Sequence, residues 1–147
     1  GLVWLAPADD YAAMRRDLGT RFEKKVGWAR KKVAAGQGDA PVTGLYERFT
    51  AKRFLGLADV KRVEANVFRY AGALTQFRRV TCPVLAVFGE NEEFAAIPPA
   101  EMLAILRRKT NSRDFDDWLI PGADHGFHGC AAELALSVGQ WAREAAT

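Results

Sequence analysis

Cysteine, histidine, methionine and serine are all scarce in this chain of 147 residues, which contains two of each. The two cysteines, Cys82 and Cys130, are too few for a disulfide framework or a zinc ribbon, so a reducing cytoplasm is the expected location. The sequence also lacks any apolar run close to the roughly 20 residues that cross a bilayer. We therefore expect a cytoplasmic protein with no membrane partner.

A charged leader is absent as well. The chain begins with Gly1 and enters the apolar run Leu2–Ala6 at once, so no signal peptide is expected. This abrupt start indicates that an upstream segment is missing or was never there.

A strong charge of one sign is the third absence, since the formal net charge is only +3. Hydrophobic residues make up 49% of the chain and charged residues 27%, which is typical of a single globular domain over residues 1–147. Nucleic-acid binding needs a concentrated basic face, so we expect no nucleic-acid partner. We interpret the densest basic cluster as a solvated helix face. It comprises Lys24, Lys25, Arg30, Lys31 and Lys32.

Three short apolar runs predict buried strands, and they lie at Leu2–Ala6, Pro83–Phe88 and Asp116–Ile120. The first run is continuous rather than alternating, the pattern of a strand that is covered on both faces. Strand, long helical excursion, strand, helix, strand and helix is the order expected of a three-stranded parallel sheet flanked by helices. The fold class is therefore α/β.

Apolar residues at spacings of three and four predict the helices. One helix starts at Asp9 or Asp10 and ends at Gly36, and two interior glycines, Gly19 and Gly27, are points where it bends or breaks. A second runs from Pro98 or Pro99 to Lys109. The last, over 131–145, is expected to bury one face, formed by Leu134, Val138, Trp141 and Ala142.

Residues 8–80 form the long excursion within this domain. Its second half, from Gly44 to Val80, carries short helical patterns that are rich in aromatic residues and no long regular element. Such a segment is either a small subsidiary core or a lid over an apolar cavity.

Two loops at the carboxyl ends of predicted strands carry the candidate chemistry. Glu90–Glu93 follows the second strand, and Asp124–His128, with both histidines of the chain, follows the third. Ligands and catalytic groups gather at this edge of a parallel sheet. Because neighbouring strands lie about 4.8 Å apart, a carboxylate from one loop can reach an imidazole from the other. An acid that holds a histidine in one tautomer is two thirds of an acyl-transfer triad.

The same two loops resemble those of a known family. Cys82-Pro-Val-Leu-Ala-Val-Phe-Gly-Glu-Asn-Glu-Glu-Phe94 and Pro121-Gly-Ala-Asp-His-Gly-Phe127 are similar to the C-terminal half of an α/β-hydrolase. The resemblance implies a partial α/β-hydrolase fold, with residues 1–6 on the sixth strand and 8–80 as a helical cap. It also implies that His125 is the catalytic histidine and Glu92 the acid. The family more often has Asp at that position, and Glu90 remains the alternative acid.

The nucleophile of that family is absent from this sequence. Neither the Gly-x-Ser-x-Gly elbow nor the oxyanion loop occurs, and both precede this region in α/β-hydrolases. Ser112 lies before the third strand and Ser137 inside the last helix, so neither is expected on an elbow. Cys130 is expected to begin a helix. The isolated chain is therefore predicted to be inactive.

Three hypotheses follow. In the first, the chain is the acid, base and lid portion of a serine hydrolase that acts on an ester or another small acyl substrate. In the second, it is a non-catalytic module that forms a homo-oligomer, or binds a partner chain, through the strand at Leu2–Ala6. The third is a zinc site, but four ligands within seven residues match no common pattern, so no metal or cofactor is expected. Its ligands would be Asp124, His125, His128 and Cys130.

Overall fold

A computed structural model describes residues 1–145. The chain folds into two compact units. The sheet unit comprises Gly1–Ala8 and the chain from Leu74 onward, and the helical unit comprises Asp9–Ala73. The role of the 8–80 excursion as a cap stays a prediction.

The helices and strands are numbered separately along the chain. In the order of the sequence they are β1 Leu2–Leu5, α1 Asp10–Leu18, α2 Phe22–Ala34, β2 Pro41–Val42, β3 Phe49–Thr50, α3 Ala51–Ala58, β4 Val84–Gly89, α4 Pro99–Lys109, β5 Phe115–Ile120 and α5 Ala131–Glu144. Short 3₁₀ turns lie at Gly19–Arg21, Glu64–Asn66 and Phe77–Arg79. None of the helices found in residues 1–145 is both long and apolar enough to cross a membrane.

The sheet unit is built on three parallel strands in the order β1-β4-β5. Leu2 pairs with Val84, and Val84 in turn pairs with Phe115. Every residue of the central strand β4 is buried, because β4 has a strand on each side and helices nearby. The prediction of an α/β fold with a three-stranded parallel sheet flanked by helices is confirmed.

Helix α4 forms as its sequence predicts. Pro99 stands in its first turn, where a missing N–H costs nothing, and cations occupy the last turn. Met102, Leu103 and Leu106 are buried. The Nε of Arg107 binds the Oδ2 of Asp117 on β5 at 2.8 Å, which ties the helix to the edge strand.

Helix α5 differs from the expectation, because none of its residues is buried. Leu134, Val138 and Trp141 are only half-buried, and Ala142 is exposed. Residues 1–145 form a sheet of only three strands, with β5 at one edge, so the sheet offers the helix a narrow surface to pack on. Its clearest attachment is polar, since the Nε1 of Trp141 donates a hydrogen bond to Asp116 at 2.9 Å.

The long helix predicted in the helical unit is interrupted at Gly19. This residue has φ +51° and ψ −127°, a conformation that side chains disfavour, and a 3₁₀ turn separates α1 from α2 there. Gly27, the other predicted weak point, stays inside α2. The unit is held by its own apolar core, whose fully buried side chains include Met14, Ala29, Ala51 and Phe54.

Asp9 connects two distant parts of the helical unit. One carboxylate oxygen caps α1 by accepting the N–H of Ala12 at 2.9 Å, and the other accepts the N–H of Tyr70 at 3.0 Å. Burial raises the pKa of Asp9 above its ordinary value, although both hydrogen bonds act to lower it. The start of the unit is thereby fixed to its last residues.

Candidate functional site

The loops after β4 and β5 lie against each other at the carboxyl edge of the sheet. The N–H of Glu90 donates to the carbonyl of Ile120 at 3.0 Å, and the N–H of Asn91 donates to the carbonyl of Ala123 at 2.8 Å. The Nδ2 of Asn91 adds a third bond, to the carbonyl of Gly122 at 3.1 Å. The two loops are therefore joined by backbone hydrogen bonds before any side chain of the site is considered.

Gly89, the last residue of β4, permits this close approach. A Cβ on it would overlap the carbonyl oxygens of Ala123 and Asp124. Any side chain here would push the second loop away from the first. The sequence alone does not reveal this role of Gly89, because the contact is made with residues more than thirty positions away.

Glu92 and His125 meet where the two loops join. The Nδ1 of His125 lies 2.8 Å from the Oε1 of Glu92 and 3.0 Å from its Oε2. The side chain of Glu92 is 1% exposed, whereas that of His125 is 36% exposed. A buried carboxylate thus holds one ring nitrogen of a histidine that is partly open to solvent. In the tautomer with a proton on Nδ1, the Nε2 atom carries the lone pair that can accept a proton.

Three further contacts hold this pair in place. The Oε2 of Glu93 accepts the backbone N–H of His125 at 3.0 Å, and the Oε1 of Glu92 accepts the N–H of Phe94 at 3.2 Å. The ring of Phe94 packs edge-to-face on the imidazole, with centroids 4.8 Å apart. The backbone, the carboxylate and one side of the ring are all constrained. The sequence alone assigned neither Glu93 nor Phe94 an individual role, because both contacts are made with residues of the other loop.

Glu90, the alternative acid, is placed elsewhere. Its Oε2 accepts the backbone N–H of Gly122 at 3.0 Å. The three glutamates of this loop therefore have different partners: Glu90 and Glu93 bind backbone N–H groups of the opposite loop, and Glu92 binds the imidazole.

Asp124 and His128 form a second pair in the same loop. The Nδ1 of His128 lies 2.8 Å from the Oδ2 of Asp124, whose Oδ1 accepts the N–H of His128 at 3.0 Å. The side chain of His128 is 83% exposed. Hydrogen bonding to His128 holds the pKa of Asp124 below its usual range, and the hydrogen bond to Asp124 raises the pKa of His128.

The structure does not assemble the metal site considered above. The two histidines bind different carboxylates, and Cys130 stands at the start of α5 as a free thiol. No group of three His, Cys, Asp or Glu side chains that could hold a metal ion occurs in the part of the chain that the structure describes.

Neither serine lies in the two loops. The Oγ of Ser112 donates to the carbonyl of Cys82 at 2.8 Å, so this hydroxyl belongs to the amino edge of the sheet, where β4 and β5 begin. Ser137 lies inside α5, beside Asp116 and Trp118. The carboxyl edge of the sheet therefore carries an acid and a base, but neither of the two serines.

Comparison with protein-family models, with curated proteins and with solved structures found no match to this chain.

The pKa of His128 provides a test of the second pair. Because the carboxylate of Asp124 stabilises the protonated imidazole, His128 should keep its proton to a higher pH than an isolated histidine. In Asp124→Asn that attraction is lost, and the midpoint measured by NMR titration should fall toward the ordinary value of 6.5. Glu90→Gln removes one charge from the facing loop and serves as the control. An equal fall in both variants would contradict the pairing.

The hydrogen bond between Glu92 and His125 predicts a protected Nδ1 proton. A low-field proton resonance from His125 is expected, and Glu92→Gln should speed its exchange with water at least tenfold, because a neutral amide is the weaker acceptor. Glu90→Gln makes the same chemical change two residues away and should leave the resonance in place. The low-field resonance is assigned to His125 by its loss in His125→Ala. A resonance unchanged by Glu92→Gln would refute the arrangement.

Proposed function

We propose that the sheet unit carries the acid and the base of an α/β-hydrolase-type acyl-transfer site, with Glu92 as the acid and His125 as the base. The substrate class is an ester or another small acyl compound. The nucleophile comes from a segment or a chain other than these 147 residues. The observation that carries the proposal is the 2.8 Å contact between the Oε1 of Glu92 and the Nδ1 of His125.

The position of the pair in the fold supports this function. The acid follows β4 and the histidine follows β5, which are neighbouring parallel strands, and β1 lies on the other side of β4. This order of strands and loops is the one that the resemblance to α/β-hydrolases implies for their last strands. A glutamate in place of the more common aspartate has one more methylene, and the contact shows that its carboxylate reaches the ring.

The proposed proton transfers follow from the tautomer in which the Nδ1 of His125 carries the proton. Glu92 accepts a hydrogen bond from the Nδ1–H of His125 and so orients the ring. Nε2 can then take the proton of an attacking hydroxyl as its oxygen bonds to the acyl carbon. The same proton then passes from Nε2 to the leaving alcohol as the ester bond breaks. The buried carboxylate stabilises the imidazolium that exists between the two steps. Glu93 and Phe94 keep the imidazole in the required orientation.

The helical unit is the cap in this proposal. It occupies the position in the sequence, between β1 and β4, at which the resemblance places a cap. Its own apolar core makes it a compact unit by itself.

The isolated chain should not react with a fluorophosphonate probe, because a base without a nucleophile and an oxyanion hole does not attack phosphorus. Mass spectrometry of the treated chain should find Ser112 and Ser137 unlabelled. Labelling of either serine, or of Cys130, would contradict the proposal.

A second experiment supplies the missing serine nucleophile. The chain is co-expressed with a segment that carries a Gly-x-Ser-x-Gly elbow and an oxyanion loop, and that serine should then be labelled. His125→Ala should slow labelling by about 10⁴-fold, and His128→Ala should leave it within about twofold. Equal slowing of labelling in the two histidine variants would contradict the role of His125 as the base.

A second candidate function is a non-catalytic module that assembles through β1. In residues 1–145 this strand is paired on one edge only. Leu2 is 40% exposed and Leu5 is 48% exposed. An exposed apolar edge strand recruits another strand, so a homodimer or a larger homo-oligomer would form through β1.

Sedimentation velocity at micromolar concentration tests the second candidate. A homodimer is expected, and Leu5→Lys should convert it to a monomer by placing a charge on the edge strand. Val63→Lys makes a comparable change at an exposed apolar residue of the helical unit, 58% exposed, and should leave the dimer intact. A monomeric unmodified chain would exclude this candidate and leave the first one standing.

A further inference from the structure

Phe127 is a buried residue in the loop that presents His125. It is 6% exposed, whereas His128, which follows it, is exposed. Within residues 121–130 the other buried residue is Ala123, which precedes His125 by two positions. The loop is therefore fixed in the interior of the protein at two points, one on each side of the histidine.

Phe127 also connects two tight turns. Its N–H donates to the carbonyl of Asp124 at 3.1 Å, and the turn that this bond closes has His125 and Gly126 at its centre. Its carbonyl accepts the N–H of Cys130 at 3.0 Å, which closes the next turn. The position of Phe127 therefore determines where the turn that carries the candidate base ends.

The backbone of Phe127 is strained. Its φ is +54°, in the left-handed region that residues with large side chains rarely adopt. Gly129, two residues later, has φ +78° and adopts such a conformation without a penalty. A glycine at position 127 would relieve the strain in the same way. Because the chain has a phenylalanine instead, burial of the ring has to offset the strain.

We propose that Phe127 is a positioning residue for the acid–base pair: burial of its ring fixes the turn that contains His125, and this turn holds the imidazole against Glu92. The inference rests on the proposed function, because it concerns the same base. Glu93 holds the backbone of His125 from the opposite loop, and Phe127 holds it from within its own loop. Both constraints keep Nδ1 within hydrogen-bonding distance of the carboxylate.

NMR spectroscopy of the low-field Nδ1 proton of His125 tests this role. Phe127→Ala removes the ring and keeps the strain, whereas Phe127→Gly removes both. In both variants the imidazole should leave the carboxylate part of the time, so exchange of the Nδ1 proton with water should be about fivefold faster or more. Phe127→Leu keeps an apolar side chain in the interior and should stay within about twofold of the unmodified chain.

Phe77→Ala is the matched control. Phe77 is 2% exposed and belongs to the sheet unit. Its ring packs against those of Trp4 and Phe115, and Phe115 is the first residue of β5, at the amino edge of the sheet. Phe77→Ala should lower the melting temperature, as Phe127→Ala does, but leave exchange of the Nδ1 proton within about twofold. Equal acceleration in these two variants would show a general loss of stability and overturn the role of Phe127.

The results separate this inference from the proposed function. If the unmodified chain shows the resonance and neither Phe127→Ala nor Phe127→Gly speeds its exchange, Phe127 has no positioning role and the acid–base pair stands. If the unmodified chain shows no such resonance, the pair is refuted, and the positioning role fails with it.

Hydrogen exchange of the unmodified chain decides the matter if both variants unfold. The N–H of Phe127, bound to Asp124, and the N–H of His125, bound to Glu93, should become exposed in the same opening of the loop. Their exchange rates, corrected for the intrinsic rate of each residue, should agree within about threefold. An N–H of Phe127 that exchanged about tenfold faster than that of His125 would overturn the positioning role.

Discussion

The hydrogen bonding between the loop after β4 and the loop after β5 is the constraint on which the candidate site depends. Two backbone N–H groups of the first loop donate to carbonyls at the end of β5 and in the loop after it. The absence of a side chain at Gly89 lets the backbones come that close. Glu92 reaches His125 only because this junction exists. Because the two residues are thirty-three positions apart, their contact is a property of the parallel sheet and not of either loop alone.

The three glutamates of the first loop have two kinds of role in the candidate site. Glu90 and Glu93 bind backbone N–H groups and so fix the opposite loop, while Glu92 is buried against the imidazole. An acid used for chemistry has to be held by its surroundings, or its geometry changes with each rotamer. In the hydrolase proposal, Glu90 and Glu93 support the loop that presents His125, and only Glu92 acts as the acid. In the oligomer proposal, the same contacts serve only to close the carboxyl edge of the sheet.

The sheet unit raises two separate functional questions. It presents an acid–histidine pair at its carboxyl edge and an exposed edge strand, β1. The pair and the edge strand involve different residues, so each can be removed by substitutions that leave the other untouched. The two candidate functions can therefore succeed or fail independently.

The sequence by itself determined the parallel α/β sheet, the course of α4 and the two loops that carry the candidate residues, because these depend on local apolar patterns and on chain order. The resemblance of the sequence to α/β-hydrolases implied Glu92 as the acid, with Glu90 as the alternative. Only the tertiary structure decided that Glu92 meets the imidazole, that Glu90 binds Gly122, and that α5 stays half-exposed over an edge strand. Each of these outcomes depends on a contact between residues far apart in the chain, or on how much of the sheet lies beneath a helix. The residue pattern of a single segment carries no information about either.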